Sequence, residues 1–273
     1  MIRKFSLLLS MVVVVLVVAP PAPAHAAVPL PKSIASIGDS ITRATNVCCW
    51  YQDHPSRSWS TGGYSSDVVR SHYERILAAQ PAIAGRNYND ARAGARMSQA
   101  PTQATRAVTQ QAKYVTILMG ANDVCTSSPS SMTSVGSFRA NLESTMQILD
   151  SGLPTNARVF VSSIPNVYQL WQVLHTKWLA RTTWSTFDIC QSMLDPNRTE
   201  AERQAVLAHE AALNQILAEV CSKYSRCRFD NNAVFNFQFT SDMVSKLDYF
   251  HPSLKGQAAL AEVTWNSSWW GTP

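Results

Sequence analysis

Short apolar runs alternate along this chain with stretches whose apolar residues recur at a helical period. Strands are predicted at Ile34–Ile37, Arg86–Asn89, Tyr114–Met119, Arg158–Ser163 and Arg226–Phe229, each of ordinary strand length. Between the first two, Ser66 to Gln80 carries the pairs Val68/Val69, His72/Tyr73 and Ile76/Leu77 at helical spacing, and Pro81 stops the pattern. A longer helix starts at Thr199-Glu200-Ala201-Glu202, which reads as a capping box, with Val206, His209, Leu213, Ile216/Leu217 and Val220 on one face. Strand and helix in alternation predict βαβ units and a parallel sheet. Right-handed crossovers then lay helices on both of its faces. Ligands of such sheets bind beyond the carboxyl ends of the strands, and the first strand ends there in Gly38-Asp39-Ser40.

The amino terminus departs from this pattern. Basic Arg3 and Lys4, an apolar stretch from Leu7 to Ala19 and an Ala24-His25-Ala26 site have the form of a cleaved export signal. The apolar stretch is shorter than the ~20 residues of a spanning helix. Residues 1–26 are therefore expected to be removed, leaving 27–273 as one exported domain without a membrane anchor. About 245 residues suffice for one α/β core. The leader takes two basic residues with it, so the formal charge falls from +5 to +3, too mild to predict a nucleic-acid partner. Six cysteines in an exported chain favour disulfides over metal binding, with 15 possible connectivities. Cys221 with Cys227 is the first pairing expected, because a short loop between helix end and strand start brings them together; Cys125 with Cys190 is the second. Adjacent Cys48 and Cys49 could form a vicinal bridge, pair elsewhere or stay free. No cluster has metal-ligand spacing, and no cofactor is expected.

Ser40 stands where a nucleophile would be presented, but a hydroxyl at its free pKa is weak and needs a base, an orienter and oxyanion donors. Alone, Ser40 reads as a helix cap. Of six histidines, His25 leaves with the signal, His72 and His209 belong to amphipathic helices, and His54 and His175 lie in irregular or Trp-rich stretches. In Asp248-Tyr249-Phe250-His251-Pro252-Ser253 a carboxylate precedes an imidazole by three residues, in a segment that Pro252 biases away from helix. That carboxylate can fix the tautomer of the ring and stabilise the imidazolium, or cap the helix that follows. Asn122, in Met119-Gly120-Ala121-Asn122-Asp123, can donate to a developing oxyanion or form an Asx turn. Gly94, past the second strand, can bring a bare N–H close to substrate. Asp39 and Asp123 read as loop-fixing groups.

These four stations, in this order, resemble the SGNH (GDSL) hydrolases: Gly38-Asp39-Ser40-Ile41, Gly94, Gly120-Ala121-Asn122-Asp123 and Asp248-Tyr249-Phe250-His251. Arg57-Ser58-Trp59-Ser60-Thr61-Gly62-Gly63, Cys125 and Phe250-His251-Pro252-Ser253 resemble the phospholipase B-like and secreted actinobacterial lipase branches. The resemblance implies a three-layer α/β/α sandwich on a flavodoxin-like five-stranded parallel sheet. It implies Ser40 as nucleophile, His251 as base, Asp248 as orienter, and the Ser40 N–H, Gly94 N–H and Asn122 side chain as oxyanion hole. Some members orient the histidine with a backbone carbonyl instead. The expected protein is a secreted, monomeric esterase or lipase acting on acyl esters. Its rivals are a carbohydrate acetylesterase using the same residues and a non-catalytic wall-binding protein. An aromatic insertion between Asn166 and Asn197, with Tyr168, Trp171, Trp178, Trp184 and Phe187, could wall an acyl pocket, though core packing is the expected role of such side chains.

Overall fold

The computed structural model describes Ile2 and residues 28–271. The expected signal segment and its boundary lie outside the described residues. Five strands, β1 (Ile34–Gly38), β2 (Asn87–Asn89), β3 (Tyr114–Leu118), β4 (Arg158–Val161) and β5 (Cys227–Phe229), form one sheet in the order β2-β1-β3-β4-β5. Every pairing is parallel. The helices are α1 (His72–Ala79), α2 (Ala100–Thr109), α3 (Ala121–Val124), α4 (Val135–Gly152), α5 (Val167–Leu174), α6 (Trp178–Thr186), α7 (Gln191–Leu194), α8 (Glu200–Ser222), α9 (Ala233–Asn236) and α10 (Leu254–Ser267). The chain leaves β1 towards β2 and returns on the other side to β3, so the topological switch point of this flavodoxin-like sheet falls between β1 and β3.

Side chains of a strand alternate between faces, and here that alternation sorts two cores. Ala35, Ile37, Val115, Ile117, Val159 and Val161 join the large cluster with α2, α4 and α8. Ile34, Tyr114 and Phe160 face the smaller one with Tyr73 and Ile76 of α1, against Trp265 of α10. Buried His72 belongs to that second layer, its ring between Tyr114 Oη (2.9 Å) and Thr264 Oγ1 (2.8 Å). Burial, with the nearby Arg75 charge, pushes its pKa down to about 3.

The strands fall where the pattern puts them, within two residues. β4 stops at Val161 rather than Ser163 because Ser163 turns to donate to Asp230 Oδ2 (2.7 Å). The first helix starts at His72, later than Ser66. Ser71 caps it in a reciprocal capping box with Glu74, while Asp67 holds the preceding residues in a turn by accepting from Val69 N (2.8 Å). The box predicted at Thr199 and Glu202 is present at the head of α8.

Cys125 is bridged to Cys190 and Cys221 to Cys227. The first bridge ties the end of α3 to the start of α7, and the second ties α8 to β5. Cys48 and Cys49 are free thiols, which decides among the three fates open to them. Among the described residues no helix is long and apolar enough to cross a membrane.

Candidate active site

β1 delivers its last residues to the switch point under tight steric control. A Cβ on Gly38 would lie 2.4 Å from Thr42 Oγ1 and 2.8 Å from the Leu118 carbonyl oxygen, so only glycine allows the following turn to fold back against β3. Asp39, not Ser40, caps that turn: its Oδ1 accepts from Ile41 N at 2.9 Å. The capping role that competed for Ser40 is therefore taken, and the Ser40 hydroxyl makes no hydrogen bond to a described residue. The other Asp39 oxygen is buried without a partner. Burial chiefly, and the neighbouring Asp123 carboxyl, push the Asp39 pKa up to about 7 against opposing effects of the Ile41 N–H and His251. Gln257, from α10, braces the same turn by accepting from Trp59 N (2.9 Å) and donating to the Ile41 carbonyl (2.7 Å). Buried Trp59 donates to Thr42 Oγ1 (3.2 Å), so the aromatic motif is a brace for the serine turn.

The segment before α10 supplies a charge pair. His251 Nδ1 lies 2.6 Å from Asp248 Oδ2, while Asp248 Oδ1 accepts from the N–H groups of Phe250 (2.9 Å) and His251 (3.0 Å). Burial raises the Asp248 pKa, but its hydrogen bonds from His251 and Asn46 and the histidine's charge outweigh that and hold the carboxyl below its ordinary range. Asp248 is thus an ionised acceptor, which puts the imidazole proton on Nδ1 and leaves Nε2 to accept. Ser253 caps α10, so the cap and the orienter are different residues. The pattern along the chain did not single out Asn46, whose Nδ2 donates to Asp248 Oδ2 at 2.7 Å. Its backbone at φ +52° is a conformation Asn tolerates, and that turn signal was the available hint. Tyr51 Oη, on the same loop, donates to the Leu247 carbonyl (2.8 Å). The other candidate histidines lie elsewhere: His54 on its own loop, His175 against the Trp171 carbonyl (3.0 Å) and His209 against the Thr133 carbonyl (2.8 Å).

Residues from the segments after three strands bring three donors to one cleft. The backbone N–H groups of Ser40 and Gly94 have no hydrogen-bond partner among the described residues. Asn122 gives one amide hydrogen to the Ala95 carbonyl (3.0 Å), which fixes the plane of the side chain and leaves its second hydrogen available. Gly94 sits at φ +74°, where a Cβ would meet no protein atom; its conformation, not crowding, demands glycine. Gly120, at φ +134°, is excluded from substitution twice over, because a Cβ would lie 2.4 Å from Ile164 Cδ1. Asp123 does fix a loop, accepting from Met97 N at 2.9 Å.

Ser40, Gly94, Asn122, Asp248 and His251 all line one cleft of about 470 Å³, together with Asn46, Tyr51, Phe187 and the Cys125–Cys190 bridge. No hydrogen bond joins Ser40 to His251 across it; catalytic contacts of this kind tighten on substrate binding. The aromatic insertion divides. Trp184 is fully buried, its Nε1 donating to the Tyr249 carbonyl (3.0 Å) and so pinning the segment that carries His251. Trp178, 65% exposed, is absent from the cleft lining, whereas Phe187, 68% exposed, lines it. A hydroxyl, a correctly poised imidazole–carboxylate pair and unpaired N–H donors in one cleft are the parts of acyl transfer through a serine.

The family model for GDSL-like lipase/acylhydrolase matches residues 34–264. Among solved structures, LAE5, an alpha/beta hydrolase enzyme from the metagenome of Lake Arreo, Spain, superposes with a TM-score of 0.54 at 15% identity, over 88% of this chain and 96% of that one. A protein described as a GDSL-like lipase, from Parabacteroides merdae, gives 0.54 at 16% identity, over 86% and 94%. No curated protein matches by sequence. At such identities the structures speak for the fold alone, while the family match spans all four motifs: this chain belongs to the GDSL-like lipase/acylhydrolase family and is a carboxylic ester hydrolase.

Proposed function

We propose that the protein is an exported serine esterase in which Ser40 attacks the ester carbonyl and His251 is the general base. The observation that carries this reading is the Asp248–His251 pair at 2.6 Å, in the same cleft as a serine free of any capping role. His251 Nε2 takes the Ser40 proton as the hydroxyl attacks, then delivers it to the departing alcohol. Water then gives a proton to His251 as it attacks the acyl-enzyme, and His251 passes that proton to Ser40 as the acid leaves. The Ser40 N–H, Gly94 N–H and Asn122 amide hold the tetrahedral oxyanion in each half-reaction. Asp248 keeps Nδ1 protonated and stabilises the imidazolium; Asn46 steadies Asp248.

Two disulfides among the six cysteines support export to an oxidising compartment, and the enzyme is read as a monomer acting on lipid or other acyl esters. A fluorophosphonate probe tests the chemistry. Folded wild-type protein should label stoichiometrically, and Ser40→Ala should neither label nor hydrolyse p-nitrophenyl acetate. Labelling that persists in Ser40→Ala would move the nucleophile elsewhere.

A further inference from the structure

A second cavity, of about 70 Å³, lies against the catalytic segments. Its wall begins one residue from each of three site groups: Ile41 follows Ser40, Ala121 precedes Asn122, and Pro252 follows His251. Consecutive Cα atoms are about 3.8 Å apart, so this cavity backs directly onto the chemistry. Leu170 and Val173 of α5 and Leu260 of α10 also line it. The two polar side chains on the wall, Asn166 and Gln169, have their oxygens engaged. Asn166 caps α5 by accepting from Gln169 N (3.0 Å), and Gln169 Oε1 accepts from Phe239 N (2.9 Å). The rest of the wall is apolar, and no charged residue is part of it.

Among the described residues, Phe250 alone lines both this cavity and the cleft. Its backbone N–H is held by Asp248 Oδ1 (2.9 Å), and its ring meets the His251 ring edge-on at 5.0 Å. The backbone is fixed while the half-buried ring can change rotamer.

We propose that this cavity is the acyl-chain compartment of the esterase, entered past Phe250, while the polar cleft receives the alcohol half of the ester. The inference rests on the serine-esterase reading above. An apolar wall favours alkyl carbon over water, and the small volume limits the length of chain it can take. The compartment therefore sets an upper limit on acyl-chain length. Each methylene buried raises kcat/KM by about fourfold until the end wall is reached.

The test is a series of p-nitrophenyl esters from acetate to dodecanoate, read as kcat/KM relative to acetate within each variant, alongside fluorophosphonate labelling. Wild type should climb above acetate to an optimum within the series and then level or fall. Leu170→Trp, which fills part of the cavity, should move the optimum to shorter chains and lower the ratio to acetate at the wild-type optimum at least tenfold. Leu170→Ala, which deepens it, should shift the optimum to longer chains by one or two carbons. Ratios unchanged by both variants, or a wild-type profile highest at acetate, overturn the compartment. Failure of wild type to label or to hydrolyse any ester overturns instead the esterase reading beneath it.

Discussion

Replacing Asp248 by Asn tests the site at the point where geometry leaves the least freedom. Asp248 accepts four hydrogen bonds: two at Oδ1, from the Phe250 and His251 N–H groups, and two at Oδ2, from His251 Nδ1 and Asn46 Nδ2. An asparagine keeps the backbone pair only with its carbonyl at the Oδ1 position. Its NH2 then faces Asn46 and the imidazole. Asn46 can turn its own amide to accept, but His251 must give up the proton on Nδ1 and carry it on Nε2. There it presents a donor to Ser40 where an acceptor is required. The same change in a serine triad costs about 10⁴ in kcat, or about 5 kcal/mol of transition-state stabilisation. We expect that loss for Asp248→Asn, with KM changed by less than threefold. The assay is p-nitrophenyl acetate hydrolysis at pH 8, with near-UV circular dichroism confirming the fold. A loss of under tenfold in the folded variant would refute the assignment and make another group, such as a backbone carbonyl, the orienter.

Asn122→Ala should lower kcat by about 10²–10³, equivalent to about 2.7–4 kcal/mol, with substrate binding little altered; a loss confined to KM would remove Asn122 from the oxyanion hole. Asp39 has a pKa raised to about 7 in the fold against 3.8 ordinarily, so between those values the unfolded chain has released a proton that the folded protein retains. Its contribution is fully present below pH 4 and is lost as pH rises through 7, by on the order of 4 kcal/mol. Urea unfolding at pH 5 and pH 8 should show wild type losing more stability than Asp39→Asn over that interval, and parallel losses in the two proteins would contradict it. Breaking the Cys125–Cys190 bridge, which spans 65 residues, should cost about 4 kcal/mol by loop entropy. Because both cysteines line the cleft, mild reduction should lower activity before global unfolding, as seen by comparing ester hydrolysis with far-UV signal.

Asn46 and Asp248 are 202 positions apart, and no local pattern in the turn at Asn46 points to a carboxylate near the other end of the chain. The same holds for Trp184, whose indole N–H reaches the Tyr249 carbonyl across 65 residues, and for Phe187, which looks like Trp178 in sequence yet alone of the two faces the cleft. Ser40 shows the opposite case. Its competing role as a cap could be weighed from composition but was settled by one contact, Asp39 Oδ1 to Ile41 N.

The strands, their parallel arrangement, the long helix and its capping box, the two disulfide partners and the Asp-x-x-His spacing were legible in the amino-acid order. Apart from the Cys125–Cys190 pairing, which joins residues 65 apart, each is written in local periodicity, in short separations along the chain or in the rule that parallel strands place their loops along one edge. Tertiary structure alone decided which oxygen of Asp248 holds the imidazole, which Asn donates to that carboxylate, which N–H groups are left unpaired, and that an apolar cavity backs onto the serine. Those depend on distances between segments far apart in sequence, and such distances are fixed only when the sheet edge, α5 and α10 pack together.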